Sequence, residues 1–308
     1  MRSRRGAGAA AIVLAAMTGV SAVQPPRSPG TEIVRRIAAL TRGSVWTLAA
    51  SVPLDFPAYH PQGLVKIGDT FHMTAVDRAG LGYLFKISAT GRLVSSIKLG
   101  EGAMYHPGGI DYDGTSIWVS VAEYRPDSRS IVYRVDPDTM KAVEVFRFED
   151  HLGAIVHNTD DKTLHAVSWG SRRFYRWPLG RDGRPTNLAV PPADLRTLNR
   201  SHYVDYQDCK YAGARRMICT GVTEIRPPLA AASAGGAANA AARFRLGGIE
   251  VVNLEDGRPE YQVPVNVWTA SGLVMTQNPV WLEPHGEGLR GYFVPEDDRA
   301  TLYVYDVK

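Results

Sequence analysis

Cysteine is nearly absent from this sequence. Cys209 and Cys219 are the two in 308 residues, too few for a disulfide-dense scaffold, and no C-x-x-C spacing suggests a metal knuckle. Ten positions separate them inside an expected hairpin. An exported chain can oxidise such a pair; two buried free thiols are the alternative. After the N-terminus no apolar run reaches the roughly 18 residues of a membrane span, so no stable membrane insertion is expected. No run of Lys and Arg interleaves with aromatics, which argues against nucleic acid as a partner. There is no G-x-S-x-G elbow, no phosphate-binding G-x-x-x-x-G-K loop, no H-E-x-x-H and no dinucleotide fingerprint. Asp111-Tyr112-Asp113-Gly114-Thr115 resembles part of a calcium loop but lacks the distal Glu, and reads better as a hairpin turn.

What is present begins with an export signal. Arg2, Arg4 and Arg5 precede an apolar run from Ala9 to Val20, and Val20-Ser21-Ala22 offers small residues for cleavage. Residues 1–22 are therefore expected to be a signal peptide. The mature protein is expected to be secreted or periplasmic. Ser3-Arg4-Arg5 resembles a twin-arginine start, although Gly6-Ala7-Gly8 lacks the apolar residues that should follow. The signal carries three Arg and no acid, so it supplies most of the formal net charge of +4. The basic balance thus says little about the partner of the mature chain.

The main signal is internal repetition. His60-Pro61-Gln62-Gly63-Leu64 recurs as His106-Pro107-Gly108-Gly109-Ile110 after 46 residues, as His151-Leu152-Gly153-Ala154-Ile155 after 45, and as His202-Tyr203-Val204-Asp205 after 51. Asn278-Pro279-Val280-Trp281 is a fifth, weaker copy. Each copy opens a short apolar strand, and two or three further strands rich in β-formers follow, most separated by turn residues. Four antiparallel strands per repeat describe the blades of a propeller. The expected fold is all-β, a five-bladed β-propeller over residues 44–308. The last unit has three strands, and a strand at 45–51 can complete it and remove two exposed edges. Residues 23–43 form an N-terminal segment with one short helix at 31–42, apolar at Ile33, Val34, Ile37 and Leu40. Residues 227–243 read as a low-complexity insertion in the fourth blade.

The repeats place chemistry. Of eight His, four (His60, His106, His151 and His202) open an inner strand and point to one mouth of a central channel, with Asn278 fifth. Converging imidazoles suit a transition metal such as Zn, Fe or Mn and do not suit Ca or Mg. A metal-free polar ring and purely structural caps are the alternatives. A second ring lies 17, 17, 18, 22 and 18 residues after each marker: Asp77-Arg78, Glu123-Tyr124-Arg125, Trp169, Glu224-Ile225-Arg226 and Glu296 with Asp297. Glu123, Glu224 and Glu296 are the acid–base candidates. Arg125, Arg172 and Arg226 are candidate clamps for an anionic substrate, and Trp169 could stack on a sugar. The alternative is that acids and Arg tie the ring together.

The stretch His106-Pro107-Gly108-Gly109-Ile110-Asp111 and its continuation Trp118 to Arg125 resemble an uncharacterised family of exported bacterial propellers, a domain of unknown function. That resemblance spans about residues 44–308. It implies fold and export and no established activity. The chain is similar at fold level to five-bladed glycosidases and nucleotidases, and to larger propellers that hold an axial metal with several His, such as carotenoid-cleaving oxygenases and some polysaccharide lyases. Those glycosidases rely on carboxylates where this chain has His, which disfavours a two-carboxylate mechanism. The expectation is a monomeric enzyme, metal-dependent through the four His, acting on a small anionic or carbohydrate-like substrate by hydrolysis, elimination or oxidation. Two alternatives are a non-catalytic propeller that binds a small molecule, an oligosaccharide or a protein, and a metal-free hydrolase using the carboxylate ring.

Overall fold

The computed structural model describes residues 29–225 and 244–308. The expected signal at 1–22, the insertion at 227–243 and Arg226 lie outside the described residues. No helix among the described residues is long and apolar enough to cross a membrane.

Helix α1 (Pro29–Ala39) begins two residues before the predicted one and ends three earlier. Its apolar stripe buries Val34 and Ile37 against a cluster that includes Ile249, Val265, Met275, Leu282, Leu289 and Phe293. Arg36 ties it down by donating to the carbonyls of Gly286 and Gly288.

The strands form five four-stranded antiparallel arrays among the described residues. Strand β1 (Trp46–Pro53) comes first in the chain and joins the last array. The first array contains β2 (His60–Ile67), β3 (Thr70–Asp77), β4 (Leu81–Ser88) and β5 (Leu93–Leu99). The second contains β6 (Met104–Tyr112), β7 (Ile117–Glu123), β8 (Ser130–Val135) and β9 (Ala142–Phe148). The third contains β10 (Leu152–Asn158), β11 (Thr163–Ser168), β12 (Arg173–Pro178) and the two-residue β13 (Thr197–Leu198). A single parallel pair, Ala154 with Gly109, joins it to the second. The fourth contains β14 (Asp205–Tyr211), β15 (Arg216–Ile225), β16 (Phe244–Asn253) and β17 (Pro259–Val265). The fifth runs β1, β20 (Thr301–Val307), β19 (Gly288–Phe293) and β18 (Val280–His285). The N-terminal strand thus supplies the outer edge of a sheet whose other strands are the last in the chain. Trp46 pairs with Val307 and Pro53 with Thr301.

The first strands converge. β2 packs on β6 and β18, β6 on β10, and β10 on β14. In the second array the first two strands, β6 and β7, are buried almost throughout, whereas an outermost strand such as β5 is largely open to solvent. In the first four arrays a bulge interrupts the first ladder, after Pro61, Pro107, Leu152 and Tyr206. The residue beyond it is Gly63, Ala154 or Asp208 in three arrays, and Gly109 lies beside Ala154.

Three small residues and one acid make an axial cross-link. A Cβ on Gly109 would stand 2.7 Å from Asp208 Oδ1, and one on Gly63 would stand 2.7 Å from the Ile110 nitrogen. Asp208 enters the space the glycines leave open. Its Oδ2 accepts from the Leu64 amide at 2.9 Å and its Oδ1 from the Ile110 amide at 3.1 Å. Lys210 pairs with the same carboxylate. Asp111 repeats the device, accepting from the His157 amide at 2.9 Å and the Tyr211 amide at 3.2 Å. Two carboxylates therefore bind backbone amides of four different arrays. Burial pushes both carboxyls up and the Lys210 amine down, and the ion pair and amides oppose it. Cys209 and Cys219 face each other directly in the β14–β15 ladder beside this group and form a disulfide.

Removing one partner of a buried pair leaves a charge without compensation. Asp208→Ala should cost roughly 3–5 kcal/mol in urea unfolding. A loss below about 1 kcal/mol would show that the cross-link carries little of the stability.

Candidate functional site

The ladders settle which residues share the mouth register. His60 pairs with Val76, His106 with Ala122 and Asp205 with Val222, each one residue before the position where the bulge begins. His151 immediately precedes Leu152, the equivalent position of the third array. The fourth array therefore contributes Asp205 to the register, and His202 lies three residues upstream of β14. The spacing held a sign of this. His202 lies 22 residues before Glu224, where the other offsets are 17 or 18, and Asp205 lies 19 before it.

The four predicted histidines separate into a cluster and an outlier. His106 and His151 have ring centroids 5.4 Å apart. Both are buried, and His60 is near enough to act electrostatically on His106. His202 is exposed, and its Nδ1 accepts from Arg172 at 2.8 Å. Among the described residues no three His, Cys, Asp or Glu side chains are gathered so as to hold a metal ion. As it stands, the donor set does not make the expected four-imidazole ring.

Each clustered imidazole has a defined setting. His60 Nδ1–H donates to Asp297 at 2.7 Å, since a carboxylate can only accept. His151 Nδ1–H faces the carbonyls of Glu123 and Arg125, both at 3.0 Å, which fixes its proton on Nδ1 and leaves Nε2 as an acceptor. Its backbone amide donates to Asp150, which also accepts from Tyr175 and Arg173. His106 Nδ1 is buried without a partner. Burial, with His151 and His60 adding to it, holds His106 well below the usual imidazole range, and burial brings His151 down to about 4. Both rings are neutral at physiological pH.

Aromatic rings complete the mouth. Tyr124 stacks on His106 at 4.2 Å, Trp169 meets His151 edge-on at 4.8 Å, and the two aromatics stand 6.0 Å apart. Trp169 is 37% and Tyr124 38% exposed. The turn at Trp169 is held under strain: Ser171 has a φ of 52°, a region that residues bearing a Cβ rarely occupy. Its Oγ accepts from the Tyr206 amide and its carbonyl from Asn199. Tyr124 was missed as a site residue, although it lies between Glu123 and Arg125, which were both singled out.

The carboxylates and Arg side chains bind each other. Glu123 accepts from Arg129 at 3.0 Å and pairs with Arg125 at 2.6 Å; the Arg129 bond leads in holding its pKa down. Glu296 accepts from Tyr303 and from the Thr301 amide. Glu224 lies 3.7 Å from Arg245. Arg172 spends its donors on Gly170, Ser201, Ser171, His202 and Asp205. Arg173 to Asp127, Arg172 to Asp205 and Arg78 to Asp297 each cross from one array to another. Asn278 donates to the Pro295 carbonyl and reaches Asp297 at 3.5 Å, so it supports the partner of His60. Burial raises Asp297, but the hydrogen bond and charge of His60 and the charge of Arg78 bring it below its usual range.

The His151 shift links pH to stability. Its folded pKa lies below the unfolded value, so the unfolded chain binds more protons between about pH 6.5 and 4. The full contribution is present above that window and is lost as pH falls through it. Acidifying from pH 7 to 4 should destabilise the wild type more than His151→Gln, by on the order of 3 kcal/mol. Urea midpoints across this range test it; parallel curves for the two proteins would show an unshifted imidazole.

The chain belongs to the family of unknown function DUF6454, whose model matches residues 20–308. No curated protein matches it. Among solved structures it is similar to the PQQ-bound form of aldose sugar dehydrogenase from Streptomyces coelicolor, at 13% identity and a TM-score of 0.51, over 88% of this chain and 100% of that one. It is also similar to the GH43 endo-arabinanase from Bacillus licheniformis, at 10% identity and a TM-score of 0.47, over 83% and 95%. A third is the calcium-binding protein regucalcin from Agrobacterium tumefaciens strain C58, at 13% identity and a TM-score of 0.42, over 85% and 95%. Such likeness concerns the fold, which is propeller-like.

Proposed function

We propose that the five arrays are blades of a five-bladed propeller closed through β1, and that its His-bearing mouth binds and acts on a small carbohydrate-like molecule. One observation carries this reading: two exposed rings, Trp169 and Tyr124, flank two buried neutral imidazoles, His106 and His151. Aromatic faces take the apolar face of a sugar ring, and neutral imidazoles take its hydroxyls. His151 is held by two backbone carbonyls with Nε2 free to accept, which suits it to draw a proton from a ligand hydroxyl. The ion-paired Glu123 is poorly placed for acid–base work, so imidazole is the better acid–base group here. In this reading the signal at 1–22 exports the chain to the periplasm or the medium, residues 23–43 lead into the propeller at 44–308, and the protein works as a monomer. The Cys209–Cys219 disulfide supports an oxidising compartment.

One observation favours a second reading. His60 and His151 both spend Nδ1 on acceptors, which is how protein imidazoles are oriented when Nε2 ligates a metal. The three rings do not stand close enough together to hold an ion as they are; in this reading His60, His106 and His151 would draw together around a Zn, Fe or Mn ion, which would supply a Lewis acid at the mouth.

Calorimetric titration with a panel of mono- and oligosaccharides tests the first reading. At least one sugar should bind, and Trp169→Ala should weaken it by about tenfold. Absence of binding across the panel, or an unchanged Trp169→Ala, would sink it. Elemental analysis of untagged protein decides the second: close to one transition metal per chain, lost in His106→Ala, would establish it.

A further inference from the structure

We propose that a cleft between the third and fourth arrays, at the strand ends remote from the mouth, binds a free amino acid with a compact apolar side chain. In the β10–β11 hairpin Leu152 pairs with Ser168 beside the mouth, and Asn158 pairs with Thr163 at the opposite end. The cleft opens at that opposite end. Its volume is about 360 Å³, and its polar lining includes Asn158, Asp161, His165, Arg176, Arg215 and Glu255. None of these belongs to the His-bearing mouth, so the proposal stands apart from the reading of that site.

Two groups in the cleft are placed to receive a carboxylate. His165 and Arg176 are direct partners in the β11–β12 ladder, so their side chains stand side by side on one face. His165 is only 7% exposed. Its Nε2 shares a hydrogen bond with the Thr163 hydroxyl at 2.9 Å. Its Nδ1 has no partner and, unlike the enclosed Nδ1 of His106, is not sealed from solvent. Burial first, and the Arg176 charge second, bring the ring down to about 3, so it is neutral at physiological pH. With the hydroxyl donating to Nε2, Nδ1 carries the proton and can donate it to a ligand oxygen. Arg176 is exposed, and its guanidinium has no hydrogen-bond or ion-pair partner among the described residues. A guanidinium fork beside an imidazole N–H suits a carboxylate.

The remaining charges ask for a cation. Arg215 pairs with Asp161 at 2.9 Å and with Glu255 at 2.7 Å, so one cation serves two acids. Glu255 accepts through Oε1, and its Oε2 has no partner among the described residues. A simple anion would meet Arg176 and leave the acids one cation short. A simple amine would do the reverse. A zwitterion answers both, with its carboxylate on Arg176 and His165 and its ammonium on Glu255. An apolar slot of about 70 Å³ adjoins the polar cleft through His165, Arg176 and Leu254, and Phe174, Met217 and Val252 wall it. That is room for about two waters at liquid density, the scale of a small branched side chain.

Calorimetric titration of the full-length protein with L-leucine and three fragments of it forms the test. 4-Methylpentanoate lacks the ammonium, 3-methylbutylamine the carboxylate and glycine the side chain. L-leucine should bind, and each fragment should bind about tenfold or more weakly. Arg176→Gln and Glu255→Gln, both at exposed positions, should each weaken L-leucine by about tenfold. In isotope-labelled protein L-leucine should shift the His165 ring and Met217 methyl signals. Neither heat nor a shift in those signals up to the solubility limit, a fragment that binds as tightly as L-leucine, or unchanged affinity in either variant would each overturn the proposal. Sugar titrations of Arg176→Gln report on the mouth separately, so either site can fail without the other.

Discussion

The structure depends on one buried carboxylate meeting backbone amides across the axis. Asp208 accepts from Leu64 in the first array and Ile110 in the second, while belonging to the fourth. The amides would otherwise be stranded where the bulges open the ladders, and an unpaired buried amide is costly. Lys210 compensates the charge, and Asp111 makes the complementary link to the third and fourth arrays. Glycines at 63 and 109 are required by the same contact, since any Cβ there would meet the carboxylate or a neighbouring amide. The axis is thus polar and filled, and free space remains at its margin, between β14 and β18.

The mouth obeys the same economy of charge. Its acids and Arg residues form pairs, several of them between arrays, and these pairs hold the first-strand ends in fixed relation. Among them stand uncharged groups: His106, whose Nδ1 has no partner, His151, held by two backbone carbonyls, and the half-exposed rings of Trp169 and Tyr124. The chemistry such a surface offers is stacking, hydrogen bonding and proton transfer by neutral groups. Burial maintains that neutrality, because desolvation disfavours the imidazolium.

Much of the architecture was legible from repetition. The recurring His-Pro-Gly and His-Leu-Gly starts located the first strands of three arrays, and the three-strand deficit of the last unit pointed to the N-terminal strand that pairs with β20. The fourth repeat was harder. Its marker has lost Pro and Gly, and a histidine three residues upstream of the strand drew the alignment away from Asp205. Local similarity cannot sense a register that is defined by hydrogen bonds to the next strand. The candidate site was legible in its residue types and only partly in its roles. Arg125, Arg172 and Glu123 lie at the mouth, yet each is taken up by neighbours that no spacing rule foresees.

The sequence by itself determined the all-β pattern, the shared sheet of the two chain ends and the histidines at or beside the starts of three first strands. All of these follow from local pattern and from where polar and apolar residues recur. Tertiary structure alone decided which histidines meet, that Asp205 and not His202 holds the fourth register, and that Asp208 is the axial link. The reason is that burial, amide capping and ion pairing join residues such as Leu64 and Asp208, 144 positions apart. No periodicity connects such positions; they become neighbours only when the first strands converge.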